Sequence, residues 1–171
     1  MATVIIALGS NLGDREQEIM LARRFLEHLA LGDVVHAPIY ETEPIGPSDT
    51  YYYNSVSQLE VDFTPQQLVT RLKEYEQKRG RKESAPRWSA REIDLDIIAY
   101  DDQVIKSEHL VIPHTNYRNR LFVLEPLKDV RPEWIDPETS DSIDELLAKA
   151  PAMETGQLTK LEGDGEAKKS V

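Results

Sequence analysis

Asp94 and Asp96 stand one residue apart in an aliphatic run, with two arginines and a tryptophan just ahead of them: Arg87-Trp88-Ser89-Ala90-Arg91-Glu92-Ile93-Asp94-Leu95-Asp96-Ile97. Ile93, Leu95 and Ile97 alternate with the two acids. A period of two sends the aliphatics to one face of a strand and both carboxylates to the other. Two residues advance roughly 6.6 Å along a strand, close enough for both acids to share a pair of divalent cations. Like charges side by side repel unless a cation neutralises them. Magnesium takes one or two carboxylates and completes its shell with phosphate oxygens and water. Arginines from a neighbouring loop grip the same phosphates bidentately. The pattern points to phosphate transfer.

The charge distribution agrees. Residues 78–91 carry six basic side chains (Lys78, Arg79, Arg81, Lys82, Arg87, Arg91) against the single acid Glu83, a local charge of +5. The whole chain is −11, so the remainder is −16. A basic loop on an acidic body suits one small polyanionic ligand and disfavours nonspecific nucleic-acid or anionic-membrane binding. The chain has 171 residues and no cysteine, which excludes a disulfide scaffold and a thiolate metal site. The apolar run 3–8 is too short for a signal-peptide core, and no segment approaches membrane-spanning length. The expectation is a cytoplasmic enzyme with one domain over residues 1–160 and a flexible C-terminal tail at 161–171.

The elements that must hold these residues alternate between strand and helix. Residues 3–8 read as a buried strand, and Asp14 as the cap of a helix to about Ala30 with Ile19, Ala22, Leu26 and Leu29 on one stripe. Strands are expected at 34–41 and 53–62. Thr64-Pro65-Gln66-Gln67 starts a second helix striped with Leu68, Leu72 and Tyr75 and stopped by Gly80. The Asp94/Asp96 strand runs over 92–100, and residues 104–105 are expected to pair back on it. Residues 118–124 read as a short helix ended by Pro126, and Ser142-Ile143-Asp144-Glu145 as a capping box for a last helix that Pro151 ends. This order is that of a ferredoxin-like split unit: α+β, an antiparallel sheet with helices on both faces in α/β/α layers. Neither a P-loop nor Gly-x-Gly-x-x-Gly is present, so side chains must grip any nucleotide.

Five motifs then occur in order: Ala7-Leu8-Gly9-Ser10-Asn11-Leu12-Gly13; Thr42 with Pro44-Ile45-Gly46-Pro47; Gly80-Arg81 through Arg87-Trp88, Arg91 and Asp94-Leu95-Asp96-Ile97; Ile112-Pro113-His114; and Asn119-Arg120-Leu121-Phe122-Val123-Leu124 with Pro126-Leu127. Together they resemble the 6-hydroxymethyl-7,8-dihydropterin pyrophosphokinases of folate biosynthesis, over nearly the whole chain. The resemblance implies transfer of the β,γ-diphosphate of ATP to the pterin hydroxymethyl group with release of AMP. It implies two Mg2+ ions on Asp94 and Asp96, with Arg81 and Arg91 holding phosphates in the transition state. It places Glu76, Arg87, Trp88, Arg91, Ile97 (through its backbone), His114 and Arg120 at ATP. It assigns the pterin to Tyr52 and Phe122 as stacking faces, to Thr42 and Asn54 as polar edge readers, and to the Pro44 and Ile45 backbone. Gly9 and Asn11 are expected to shape the loop beneath it. The partners implied are small molecules, with no nucleic acid or membrane, and a monomer.

The chain departs from the family pattern at several positions. Glu83 stands where an arginine is frequent, with Lys82 beside it, and Ser89-Ala90 replace a common Gly-Pro. His109 and Val111 stand where some members offer Arg and Thr to the nucleotide, and Thr115 replaces an often aromatic or proline residue. Two other classes fit less well. A non-catalytic pterin or nucleotide binder agrees with Glu83 but not with intact Asp94, Asp96, Arg81 and Arg91. An RNA-binding module agrees with the basic loop and Trp88 but not with two acids on the binding face. A kinase moving only the terminal phosphoryl would release ADP instead of AMP.

Overall fold

A computed structural model describes residues 1–43, 51–80, 92–150, 158–161 and 168–169. The fold is α+β, an antiparallel sheet with helices packed against it. Its central strand β1 (Ala2–Ser10) lies between β4 (Tyr52–Val61) and β5 (Asp94–Tyr100), antiparallel to both. Beyond β4 come β2 (Val35–His36) and β3 (Tyr40–Thr42), which pair with successive stretches of it. Further out, β8 (Leu158–Lys160) pairs with β3, and β9 (Lys168–Lys169) pairs with β2. Thus residues 168–169 of the segment expected to be a flexible tail lie in register with Val35 and His36. The helices are α1 (Arg15–Leu29), α2 (Pro65–Lys78), α3 (Leu121–Val130) and α4 (Ile143–Lys149).

The helix starts follow local chemistry. The Asp14 side chain accepts from the Gln17 N–H at 3.1 Å and caps α1. Thr64 and Gln67 form a reciprocal capping box with Pro65 at the first position of α2, and Ser142 and Glu145 do the same for α4. At its far end α2 stops at Gly80, whose φ of +112° is open to glycine without steric cost.

Successive residues of β1 enter different apolar clusters. Val4, Ile6 and Leu8 join Ile19, Ala22 and Leu26 of α1 and Leu68 and Leu72 of α2. Ile5 joins Val56, Val123, Leu124 and Leu127 of α3, and Ile143 and Leu146 of α4. Each such aliphatic, fully buried, contributes about 1.5–3 kcal/mol. Both sides of the sheet are therefore anchored, and residues at one end of it are held in fixed register.

Three expectations need correction. The strand expected at 34–41 is two strands, because Pro38 has no N–H to give the ladder. The Ala37 N–H still bonds the Val56 carbonyl at 2.8 Å, but Tyr40 then pairs with Asn54, one residue further along than the β2 register predicts. The extra residue resets the alternation: Ala37 packs with α3 and Ile39 with α1. Residues 105–106 form β6 (Ile105–Lys106), which pairs with β7 (Val111–Ile112) rather than with β5. Asp101, with φ +50°, turns the chain off the end of β5 and is tied to Thr3 by two 2.8 Å hydrogen bonds. Finally, Pro126 lies inside α3 rather than ending it. Burial of Val123, Leu124 and Leu127 on both sides of it offsets the lost backbone bond.

Candidate functional site

Strand register builds the site. Asp94 pairs with Gly9, Gly9 with Asn54, and Asn54 with Tyr40. Directly opposed residues of antiparallel strands project from the same face, so this row is one surface. Tyr52 shares that face two residues along and pairs with Thr42, while Asp96 pairs with Ala7. As the period of two predicts, Leu95 and Ile97 are buried, Asp94 is half-buried and Asp96 is exposed.

The row has a gap in its middle. Gly9 contributes no side chain between Asp94 and Asn54, whose strands lie roughly 10 Å apart at ordinary sheet spacing. A Cβ on Gly9 would come within 3.1 Å of the Asn54 Oδ1. Asn54 itself is fixed, since its Nδ2 donates to the Thr42 Oγ1 at 2.9 Å and both residues are buried. The amide edge of Asn54 and the carboxylates of β5 thus flank the bare backbone of Gly9.

The consecutive tyrosines separate by face. Tyr51 is exposed, and Tyr53 packs with the α1 and α2 cluster under the Arg15 guanidinium, 4.4 Å from the ring centroid. Tyr52 is half-buried on the Asn54 side. Phe122, at the start of α3, is partly buried against the other cluster with the Arg120 guanidinium 5.6 Å from its ring centroid.

The outer edge of β5 is held at two points. The Glu76 Oε2 accepts the Leu95 N–H at 2.7 Å, and the Ile98 carbonyl accepts the His114 N–H at 3.2 Å. Ile97 lies between them with its side chain in the core, so only its backbone faces this edge. Glu76 alone reads as a surface helix residue, yet it is 3% exposed and braces the acidic strand. The same two contacts occupy the edge that the hairpin was expected to take.

His114 brings a third group toward the acids. Burial holds its pKa below the usual imidazole value, the Asp96 charge pulls it up, and the Arg120 charge pushes it down. The imidazole therefore lies in the field of both residues. Its Nδ1 accepts the Asn116 N–H at 3.2 Å, so a neutral ring carries its proton on Nε2. Among the described residues no three His, Cys, Asp or Glu side chains gather as a metal cage. Two carboxylates on an open face suit instead a hard cation that arrives with phosphate oxygens and water. Arg81, Arg87, Trp88 and Arg91, and Pro44 and Ile45, which were expected at the pterin, lie outside the described residues.

A buried network behind His114 and Arg120 escapes sequence reasoning. Between these residues runs the turn 117–119, followed by α3. Tyr117 is fully buried, and its hydroxyl donates to Asp136, also fully buried. Asp136 also accepts from the Arg118 guanidinium at 2.6 and 3.2 Å and from the Glu138 and Thr139 N–H groups at 2.8 and 3.0 Å. Burial works to raise the Asp136 pKa, but these donors outweigh it and hold it at about 2. A carboxyl depressed from 3.8 stabilises the fold fully above its unfolded pKa, and the contribution fades as pH falls toward 2. The shift corresponds to about 2 kcal/mol. Denaturant unfolding of wild type should therefore lose stability between pH 5 and 2 more steeply than Asp136→Asn does. Parallel acid slopes for the two proteins would contradict this.

Known proteins resemble the chain in sequence and in fold. Residues 5–132 match the family model for 7,8-dihydro-6-hydroxymethylpterin-pyrophosphokinase. The chain is 35% identical over 149 residues to the 2-amino-4-hydroxy-6-hydroxymethyldihydropteridine pyrophosphokinase of Haemophilus influenzae, covering 86% of this chain and 92% of that protein. It is 36% identical over 138 residues to the enzyme of that name from Aquifex aeolicus, covering 80% and 85%. Among solved structures, the wild-type HPPK-DHPS of Plasmodium falciparum superimposes with a TM-score of 0.66 at 16% identity. That match covers 86% of this chain and 44% of the longer protein, so it speaks to the fold alone.

Proposed function

Because the chain belongs to the 7,8-dihydro-6-hydroxymethylpterin-pyrophosphokinase family, we propose that the face bearing Asp94, Asp96, Asn54 and Tyr52 is where it carries out that reaction. The pterin hydroxyl gives up its proton to water and its oxygen bonds to the β-phosphorus of ATP, the bond from that phosphorus to the α,β-bridging oxygen breaks, and AMP leaves with that oxygen. The observation that carries this reading is the row Asp94–Gly9–Asn54, which sets a cation-binding edge opposite an amide edge across an open floor.

Asp94 and Asp96 are the residues that would hold Mg2+, two ions on this reading, which would supply neutralisation of phosphate charge and a lowered pKa for the attacking hydroxyl. Every other role falls to side chains and backbone. The His114 Nε2–H and the Arg120 guanidinium bind phosphate or ribose oxygens on the Asp96 side. The β5 edge at Ile97 offers backbone to adenine, with Glu76 keeping that edge straight. Tyr52 and Phe122 sandwich the flat pterin, and Thr42 and Asn54 read its polar edge together with the backbone of Pro44 and Ile45. Arg81 and Arg91 stabilise charge that grows in the transition state, and Arg87 and Trp88 exclude water.

The family's wider layout is part of the proposal. Ferredoxin-like topology with helices on both faces is supported by the order β5-β1-β4-β2 and by the two clusters that share β1. A single domain over 1–160, acting as a cytoplasmic monomer on small molecules, belongs to the same proposal. No helix among the described residues is long and apolar enough to cross a membrane. Incubation with ATP, Mg2+ and 6-hydroxymethyl-7,8-dihydropterin should yield AMP and the pterin diphosphate in equal amounts. ADP as the nucleotide product would overturn the reading.

A further inference from the structure

We propose that Asp136 is a positioning residue for the nucleotide side of the site, acting through Tyr117 to set the spacing of His114 and Arg120. It touches no substrate itself.

Tyr117 stands three residues from each of those side chains, and its backbone joins them. Its N–H donates to the His114 carbonyl at 3.4 Å, and its carbonyl accepts the Arg120 N–H at 3.2 Å. The Arg120 carbonyl then accepts the first bonds of α3, from the Val123 and Leu124 N–H groups at 2.9 Å. A shift of Tyr117 would therefore move both ligand-facing residues relative to β5, to which His114 is tied through the Ile98 carbonyl.

The ring of Tyr117 is fixed at its far end. Its hydroxyl donates to Asp136 and accepts from the Trp134 Nε1–H at 3.2 Å. Arg118, next in the chain, reaches the same carboxylate and Glu138, which Lys106 of β6 also pairs with. The loop bearing Asp136 is itself closed by backbone bonds. The Asp136 N–H donates to the Asp141 carbonyl, and the Asp136 carbonyl accepts the Ser140 N–H, both at 2.8 Å. One buried carboxylate thus collects five donors and ties the 114–120 segment to a rigid loop 19 residues away. Buried polar groups this fully satisfied define one geometry and lose it when a partner is removed.

Thr42 and Asn54 hold each other on β3 and β4, so that edge of the pterin site responds separately from the Asp136 network, whereas Phe122 shares the start of α3 with Arg120. The proposal rests on the assignment of ATP to His114 and Arg120, and the test separates the two.

Steady-state kinetics with Mg2+ present would compare wild type, Asp136→Asn, Tyr117→Phe and His114→Ala, each varied in ATP and in hydroxymethyl-dihydropterin. Asp136→Asn should raise the KM for ATP about 10-fold, and Tyr117→Phe, which keeps the packed ring, about 3-fold. Both should leave the pterin KM within twofold of wild type. If the asparagine variant fails to fold, Tyr117→Phe alone still decides, since it removes one oxygen. General loosening of the protein would raise both KM values together, and that result would overturn the proposal. An ATP KM unchanged in Asp136→Asn and Tyr117→Phe but raised in His114→Ala would overturn it while sparing the nucleotide assignment. No change in His114→Ala would remove the assignment and the proposal with it.

Discussion

Asp96→Ala is expected to abolish AMP formation while leaving the fold intact. Asp96 is exposed on β5, so its replacement leaves no cavity in the core. It also relieves repulsion with Asp94. Stability should therefore stay within about 1 kcal/mol of wild type, because exposed substitutions seldom cost more. The loss falls on the reaction: a carboxylate that helps to hold the metal with ATP carries several kcal/mol of charge stabilisation, roughly 1,000-fold or more in kcat/KM. Binding of a non-hydrolysable ATP analogue gives a second readout. Its Mg2+-dependent part should vanish in Asp96→Ala, while the contribution of His114 and Arg120 persists. Near-wild-type turnover by a folded Asp96→Ala would sink the site assignment.

The residues behind that prediction were legible because strand periodicity is local. Asp94 and Asp96 alternate with Leu95 and Ile97, and burial follows the alternation position by position. The starts of α1, α2 and α4 were equally readable, since a cap and its partner lie three residues apart. What escaped was set by contacts distant in sequence. Pro38 announces an interrupted ladder, but not that the register with β4 would slip by one and return Tyr40 and Thr42 to the Asn54 face. Residues 105–106 chose β7 because Glu76 and His114 already occupy the β5 edge, which no window around residue 105 reveals. Pro126 was read as a stop, whereas burial on both sides of it carries the helix through. Glu76 and Asp136 are the strongest cases: each looks like a surface acid, and each is buried by a donor 19 positions away. Motif resemblance named Glu76 for the nucleotide but supplied no reason for its burial. It was silent on Asp136.

Gly9→Ala is the second variant with a large expected effect, and it probes the opposite half of the site. Gly9 has no positive φ, so alanine meets no backbone strain there. The difficulty is space. The new Cβ would sit 3.1 Å from the Asn54 Oδ1, tighter than ordinary van der Waals contact. Asn54 has little room to yield, because it is buried and donates to Thr42. Either the amide swings off Thr42 or β1 and β4 separate slightly, and overpacking of this kind costs about 1–3 kcal/mol. In both cases the edge proposed to read the pterin moves, and the methyl group intrudes on the floor between Asn54 and Asp94. The KM for hydroxymethyl-dihydropterin should rise roughly 10-fold or more, with the KM for ATP little changed. Gly32→Ala makes a fitting control, since nothing lies within 4 Å of a Cβ at that position. A Gly9→Ala enzyme with wild-type pterin KM would mean that the pterin does not lie over the Asp94–Gly9–Asn54 row. The carboxylate edge and the amide edge would then serve different ligands, and the row could no longer be read as one site.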